Sequence, residues 1–258
     1  MAGDGVVRWE RRGASALITF DRPAARNAMT WAMYEQLGQV LDAIDADPEV
    51  RVAVLRGAGG SFVAGTDIAQ FAHFTSGDDG VAYERRLDAV LVRLEQLTVP
   101  TVAVIEGWAV GGGLAIAAAC DARLATPDAR FAMPIARTVG NCLSMANYAR
   151  LVMHLGPSRT QQLLLTAEPM LAAEALARAF VLEIAEPSAL EARIEARCTQ
   201  FAAMAPMTLR VTREAIRRIV AAVATNGDDL VHMAYGSHDF HEGVAAFLAG
   251  RAPRWEGR

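Results

Sequence analysis

Twice in this chain a short apolar run ends in a glycine-rich turn, and that repetition constrains the fold more than any other feature. Residues 52–55 lead into Gly57, Gly59 and Gly60, and residues 101–105 lead into Gly107, Gly111, Gly112 and Gly113. Apolar runs this short suit strands buried on both faces. Glycine directly after such a strand allows tight turns and a close approach of backbone to a ligand. Residues 17–20 read as a further strand, residues 21–27 as a polar loop around Pro23, and residues 122–125 as a third buried strand in the first half. A helical period starts after Thr30, a natural N-cap, and puts Met33, Leu37, Val40, Leu41 and Ile44 on one face before Pro48. A second helix is expected over residues 81–97, with Leu87, Val90, Leu91 and Leu94 inward and Pro100 as its stop. Strands alternating with helices predict an α/β fold with a mostly parallel sheet. From Ser144 onward the chain reads as helices over residues 144–155 (closed by Gly156), 188–204, 207–220 and 228–249. Residues 75–80, rich in glycine and aspartate, are expected to form a mobile loop.

Composition narrows the function classes. The chain has 258 residues, 53% of them hydrophobic, which is enough for one sizeable core. Its net charge of −4 gives no basic footprint, so no nucleic-acid partner is expected. No apolar run approaches the roughly 18 residues of a membrane span. Residues 1–10 lack the basic and apolar blocks of an export signal. Cys120, Cys142 and Cys198 are scattered and odd in number, with no metal-ligand spacing, so a reducing cytoplasmic setting and no bound metal are expected. The sequence contains no lysine, and its 25 basic side chains are all arginine. Schiff-base chemistry on a side-chain amine is therefore excluded. Phosphate contacts must come from arginine, backbone amides or helix N-termini.

The two loops have the makings of one anion site. Residues 61–68 and residues 107–113 each follow a strand and precede a helical stretch. The triple glycine 111–113 at a helix start leaves N–H donors unpaired at the positive end of the helix dipole. Donors from two such loops can hold the oxyanion of a thioester enolate. The pattern Phe62-x-Ala64-Gly65-x-Asp67-Ile68 followed by Gly107-x-Ala109-x-Gly111-Gly112-Gly113 resembles the paired signature of the crotonase (enoyl-CoA hydratase/isomerase) family. Arg22-Pro23 with Arg26-Asn27-Ala28-Met29, residues 100–105, Cys120-Asp121, residues 242–248 and Arg254-Trp255 resemble the same family, so the likeness spans nearly the whole chain. The resemblance implies a ββα spiral core over residues 1–200. It also implies a C-terminal helical segment over residues 201–258 of the same functional unit, and assembly into trimers or pairs of trimers. It implies an acyl-CoA thioester as partner, with coenzyme A entering as part of the substrate and no separate cofactor. It places the oxyanion hole at the backbone amides of Ala64 and Gly112. Arg22, Arg26, Ala28, Thr66, Asp67, Ile68, Phe71, Trp108, Gly111, Pro134 and Ile135 are the further positions implied near the coenzyme or the acyl chain.

The likeness breaks where a family hydratase carries its two glutamates. The first place, two residues after the triple glycine, is Ala115, and the second, after Pro134, is Ile135. Neither side chain moves a proton. Polar residues follow in 136–144, and three of this chain's side chains are candidates for the missing chemistry. By its similarity to a Gly-Asn-Asp stretch of the chlorobenzoyl-CoA dehalogenase branch, Cys142 stands in a nucleophile's place. A thiolate at a helix N-terminus is activated, and the alternative is a cysteine packed inertly. Arg137 is suited to a substrate carboxylate or to a structural ion pair. His73, just beyond the first loop, is placed to titrate near neutrality or simply to face solvent. An enoyl-CoA hydratase/isomerase-like enzyme is the leading expectation. A Cys142-dependent hydrolase or dehalogenase-like enzyme, and a non-catalytic acyl-CoA-binding protein, are the alternatives.

Overall fold

Alternating burial along the first strands sets up the sheet on which everything else is mounted. The computed structural model describes residues 3–258; Met1 and Ala2, where the reading of the N-terminus begins, lie outside them. Strand β1 (Val6–Arg12) pairs antiparallel with β2 (Ser15–Asp21). Its outward residues Arg8, Glu10 and Arg12 put charge on the edge of the sheet, which discourages further pairing. Helix α1 (Trp31–Asp45) buries Met33, Leu37, Val40, Leu41 and Ile44, and the Thr30 hydroxyl accepts from the Met33 amide as its cap. Then come β3 (Val52–Gly57), α2 (Gly77–Glu95) and β4 (Thr101–Ile105). The chain continues through β5 (Trp108–Val110), α3 (Gly112–Ala119), β6 (Ala122–Ala125), β7 (Arg130–Ala132) and the single turn α4 (Ile135–Thr138). Helix α5 (Met145–Leu165), β8 (Met170–Leu171), α6 (Ala172–Ala177) and β9 (Glu183–Ile184) follow. The C-terminal part is α7 (Leu190–Ala202), α8 (Pro206–Val223), α9 (Asp228–Tyr235) and α10 (His238–Leu248).

The larger sheet runs β1-β2-β3-β4-β6-β9 and is parallel beyond the first pair, with β5-β7-β8 forming a second, smaller sheet. Two stacked sheets with crossover helices, followed by a helical C-terminal segment, match the architecture expected from the sequence.

Some element boundaries differ from expectation. Residues 75–80 are not a loose loop. Asp79 Oδ2 accepts from the Thr75 and Ser76 amides and closes a capping box with Ser76, so α2 starts at Gly77. Asp79 is thereby a capping residue. Gly156, at φ 73° and ψ 161°, leaves the helical conformation and closes the first part of α5 as expected, and Pro157 opens the second part, tolerated at a first helical position. The helix expected over 228–249 breaks at Gly236, and the Ser237 hydroxyl accepts from the Phe240 amide to cap α10. The His154 ring is packed edge-on to Phe180 with Nε2 2.9 Å from the Ala118 carbonyl oxygen. Burial and the nearby Arg123 charge push its pKa down to about 4. Arg123 itself is buried and donates to the Ala117, Cys120 and Phe180 carbonyls, which ties off the C-terminal end of α3.

Candidate active site

The two glycine-rich loops meet because their backbones pair. Val63 bridges to Ala109, and Met29 bridges to Thr66, so the early loop, the first glycine loop and the second are stitched side by side. Asn27 is fully buried; its amide donates to the Ala58 and Ser61 carbonyls and its Oδ1 accepts from the Arg22 amide. Gly113 is required for this closeness: a Cβ there would overlap the Val63 carbonyl oxygen. Gly111, at φ 52° and ψ −119°, turns the chain into α3 in a conformation that suits glycine alone. A cavity of about 390 Å³ opens where the loops meet. Arg22, Arg26, Ala28, Ala64, Thr66, Asp67, Ile68, Phe71, Gly111, Gly112, Pro134 and Ile135 all line it.

The amide expected to pair with Gly112 does not point to a free acceptor position. The Ala64 N–H donates to the Arg26 carbonyl oxygen at 3.0 Å and is spent. The loop residue two further on is different. Among the described residues the Thr66 and Gly112 amides donate to no acceptor. They are also adjacent, since a Cβ on Gly112 would lie 3.8 Å from the Thr66 nitrogen and 2.5 Å from the Tyr34 hydroxyl. The Thr66 side-chain Oγ1 lies 2.8 Å from the Tyr34 hydroxyl and 3.0 Å from that of Tyr83. Two unpaired N–H groups beside a cavity, one from the first glycine loop and one at the start of α3, form a place for an oxyanion.

The arginines at the cavity divide their roles. Arg22 is held by Asp67 at 2.8 Å and by the Gly3 and Ala28 carbonyls, so its charge is already answered. Arg26 is exposed, stands at φ 49°, and has no acidic partner among the described residues, which leaves its guanidinium available to an anionic ligand at the rim.

Four other expectations need correction. Cys142 does not line the cavity, and its thiol lies 3.8 Å from the Leu230 carbonyl oxygen. Burial, reinforced by the charge of Glu84, pushes its pKa up to about 12, opposite to an activated nucleophile. Arg137 is exposed on α4 and outside the cavity lining. His73 is likewise exposed and not part of the lining. Trp108 is half-buried and absent from it, with the Arg130 guanidinium 5.2 Å from its ring centre. His232, His238 and His241 are exposed.

One carboxyl group in the cavity wall was not anticipated. Glu84 on α2 is 3% exposed and lines the cavity with Leu87, Ala115, Leu143 and Asn141. The Tyr235 hydroxyl donates to its Oε1 at 2.6 Å and the Ser144 amide donates to its Oε2 at 3.0 Å. Desolvation outweighs these donors and raises its pKa from 4.5 to about 7. Asn141 donates to the Tyr235 hydroxyl at 3.1 Å, while its Oδ1 is buried without a partner. The signal for Glu84 was present in the sequence: it stands three residues before Leu87, in register with the inward stripe of α2, where an acidic residue is out of place.

Comparisons with known proteins agree with this geometry. The sequence profile described as enoyl-CoA hydratase/isomerase matches residues 10–258. An enoyl-CoA hydratase of Mycobacterium tuberculosis is 31% identical over 258 residues, covering 96% of both chains. The (E)-benzylidenesuccinyl-CoA hydratase of Thauera aromatica is 32% identical over 247 residues, covering 94% of this chain and 95% of its own. Among solved structures, a methylmalonyl-CoA decarboxylase in complex with 2-nitronate-propionyl-CoA superposes with a TM-score of 0.89 at 26% identity, covering 98% of each chain. An enoyl-CoA hydratase/carnithine racemase from Magnetospirillum magneticum superposes at 0.79 with 30% identity, covering 98% of this chain and 96% of its own. With a family profile matched almost end to end and relatives of this identity, the chain belongs to the enoyl-CoA hydratase/isomerase family.

Proposed function

We propose that the protein binds acyl thioesters of coenzyme A and processes 2-enoyl chains through an enolate held by the Thr66 and Gly112 amides. The observation that carries this reading is that pair of adjacent, unpaired N–H groups opening on the cavity. The thioester oxygen accepts from both. As negative charge develops on it, these fixed donors bind it more tightly than the neutral carbonyl, which is the condition for acceleration. The Arg26 guanidinium at the rim meets coenzyme phosphate. Phe71, Leu87, Val110, Ile135 and Leu143 give the acyl end an apolar wall.

Decarboxylation of a malonyl-type thioester is a second route to the same enolate, and the superposition on a decarboxylase brings it into view. The cavity chemistry favours the enoyl reading. A substrate carboxylate at the acyl end would be repelled by the ionised form of the buried Glu84 carboxyl, and neither Arg137, outside the lining, nor Arg22, paired with Asp67, offsets that charge there. Acetoacetyl-CoA tests the reading directly, because its acidic methylene reports enolate stabilisation as a rise in ultraviolet absorbance. The protein is expected to shift this ligand toward its enolate. Gly112→Ala, which crowds the Tyr34 and Thr66 oxygens, is expected to weaken the shift about a hundredfold, from roughly 3 kcal/mol per donor. Binding without any enolate signal would refute the oxyanion assignment.

A further inference from the structure

The cavity lacks proton-transfer groups at both places where a family hydratase holds them, Ala115 and Ile135, yet it is not devoid of one. We propose that Glu84, delivered from α2 rather than from the loops, is the group that moves the proton in this site. The assignment rests on the reading of the protein as an acyl-CoA enzyme and names the residue that completes its chemistry. Three observations carry it. Glu84 lines the same cavity as Thr66, Gly112 and Ala115, the alanine that stands in the place of the first glutamate. Both of its oxygens are oriented from behind, one by the Tyr235 hydroxyl and one by the Ser144 amide, and each keeps a lone pair for a further donor. Next to it Asn141 presents a buried Oδ1 that no protein donor satisfies. An unpartnered buried acceptor beside a buried carboxyl is a place for a water molecule, which needs two or more polar partners.

One carboxyl group suffices for hydration. A water held between Glu84 and Asn141 loses a proton to the carboxylate as its oxygen bonds to Cβ of the enoyl thioester. The π pair of the Cα–Cβ bond moves toward Cα and the thioester oxygen, giving the enolate held by the Thr66 and Gly112 amides. The enolate then takes the proton back from Glu84 at Cα. Water has been added across the double bond, and the carboxylate is restored. The residue works at neutral pH because its affinity for protons is balanced there: burial lifts its pKa to about 7, the poise a general acid–base group needs. Its titratable surroundings are Asp88 from α2, Tyr235 from α9, Tyr34, Tyr83 and the Cys142 thiol. Asp88 is answered by Arg150 at 3.5 Å. Tyr235 is a positioning residue, acting through Glu84.

The test combines crotonyl-CoA hydration, deuterium uptake at Cα of butyryl-CoA in heavy water, and acetoacetyl-CoA enolisation. All three are read for the unaltered protein, Glu84→Gln, Glu84→Asp and Tyr235→Phe. Glu84→Gln is expected to lower the hydration rate constant and the Cα exchange rate by ~10²–10⁴-fold, with acyl-CoA binding and enolisation little changed. Preserved binding excludes misfolding as the cause. Glu84→Asp, retaining a carboxyl set back by one methylene, is expected to fall between the two. The profile of kcat/KM against pH is expected to drop on the acid side with an ionisation near 7. Tyr235→Phe, by removing a donor that stabilises the carboxylate, is expected to move that ionisation upward. Hydration and exchange that survive in Glu84→Gln overturn the role of Glu84 and leave the acyl-CoA reading standing. An unaltered protein that binds thioesters but neither enolises, hydrates nor exchanges them overturns both.

Discussion

Burying a carboxyl group as deeply as Glu84 makes stability depend on pH in an unusual direction. Its folded pKa lies above its ordinary value, about 7 against 4.5, so between those values the folded chain keeps a proton the unfolded chain has released. Stability therefore falls as pH rises through that window, by about 1.4 kcal/mol for each pH unit. Below 4.5 both states hold the proton and the penalty is absent. Glu84→Gln removes the ionisation. Urea unfolding at pH 5 and pH 8 is expected to show the variant gaining about 3 kcal/mol on the unaltered protein between the two conditions. Equal behaviour at both pH values would mean that the carboxyl is hydrated. At this scale the sequence was informative where a residue's chemistry alone decides: Ala115 and Ile135 cannot carry protons wherever they lie. It was silent where hydrogen-bond direction decides. Ala64 and Thr66 sit two residues apart in one loop, and only the bond from Ala64 to Arg26 shows which amide is free. Cys142 failed as a nucleophile for a similar reason, since its burial and its neighbour Glu84 belong to the tertiary structure.

Glycine shows how strongly the assembled elements override local preference. An alanine in a helix is favoured over glycine by about 1 kcal/mol. Gly38, within α1, has open space where a Cβ would go, so Gly38→Ala is expected to stabilise by roughly that amount. Gly113, in the first turn of α3, has the Val63 carbonyl in that place. There the overlap is with backbone and cannot be relieved by turning a side chain. Gly113→Ala is therefore expected to destabilise by about 2 kcal/mol or more despite its better helix propensity, and to separate the two loops that carry the Thr66 and Gly112 amides. Shifts of the urea midpoint with opposite signs, at unchanged slope, are the expected result; two shifts of the same sign contradict this packing. Helix α1, with its sustained 3.6-residue period, and strands β3 and β4, as continuous apolar runs buried on both faces, were readable because burial and pattern coincide along their whole length. The two-residue strands β8 and β9 carry too few residues for any period. In residues 75–80 the turn-forming aspartate and glycines proved to be the cap and first turn of α2: Gly77 and Gly80 are small because His232 and Tyr235 of α9 press against them.

At the scale of the whole molecule, the C-terminal helices are joined to the core through the site itself. Tyr235 of α9 reaches Glu84, Phe240 of α10 packs with Phe71 and Phe74, and Phe247 lines the cavity. On this ground we propose that residues 1–200 and 201–258 work as one functional unit. Helix α8 is the exception to that integration. None of its residues is buried, and Met207, Val211, Ile219 and Val223 are 66%, 60%, 58% and 55% exposed along one side of it. Isolated exposed apolar residues are ordinary, but a continuous helical stripe of them marks an interaction surface. The assembly expected from the family likeness supplies an occupant, another copy of the same chain, and α8 is our proposed contact. Covering each such side chain contributes about 1.5–3 kcal/mol, offset by the cost of association. Sedimentation of the unaltered protein is expected to give three or six times its 27.6 kDa chain mass. The double variant Val211→Arg with Ile219→Arg places two charges where a partner would have to desolvate them and is expected to sediment at the mass of a single chain, still folded. A monomeric unaltered protein would remove self-association as the reason for the stripe, and an oligomer indifferent to both substitutions would move the contact away from α8.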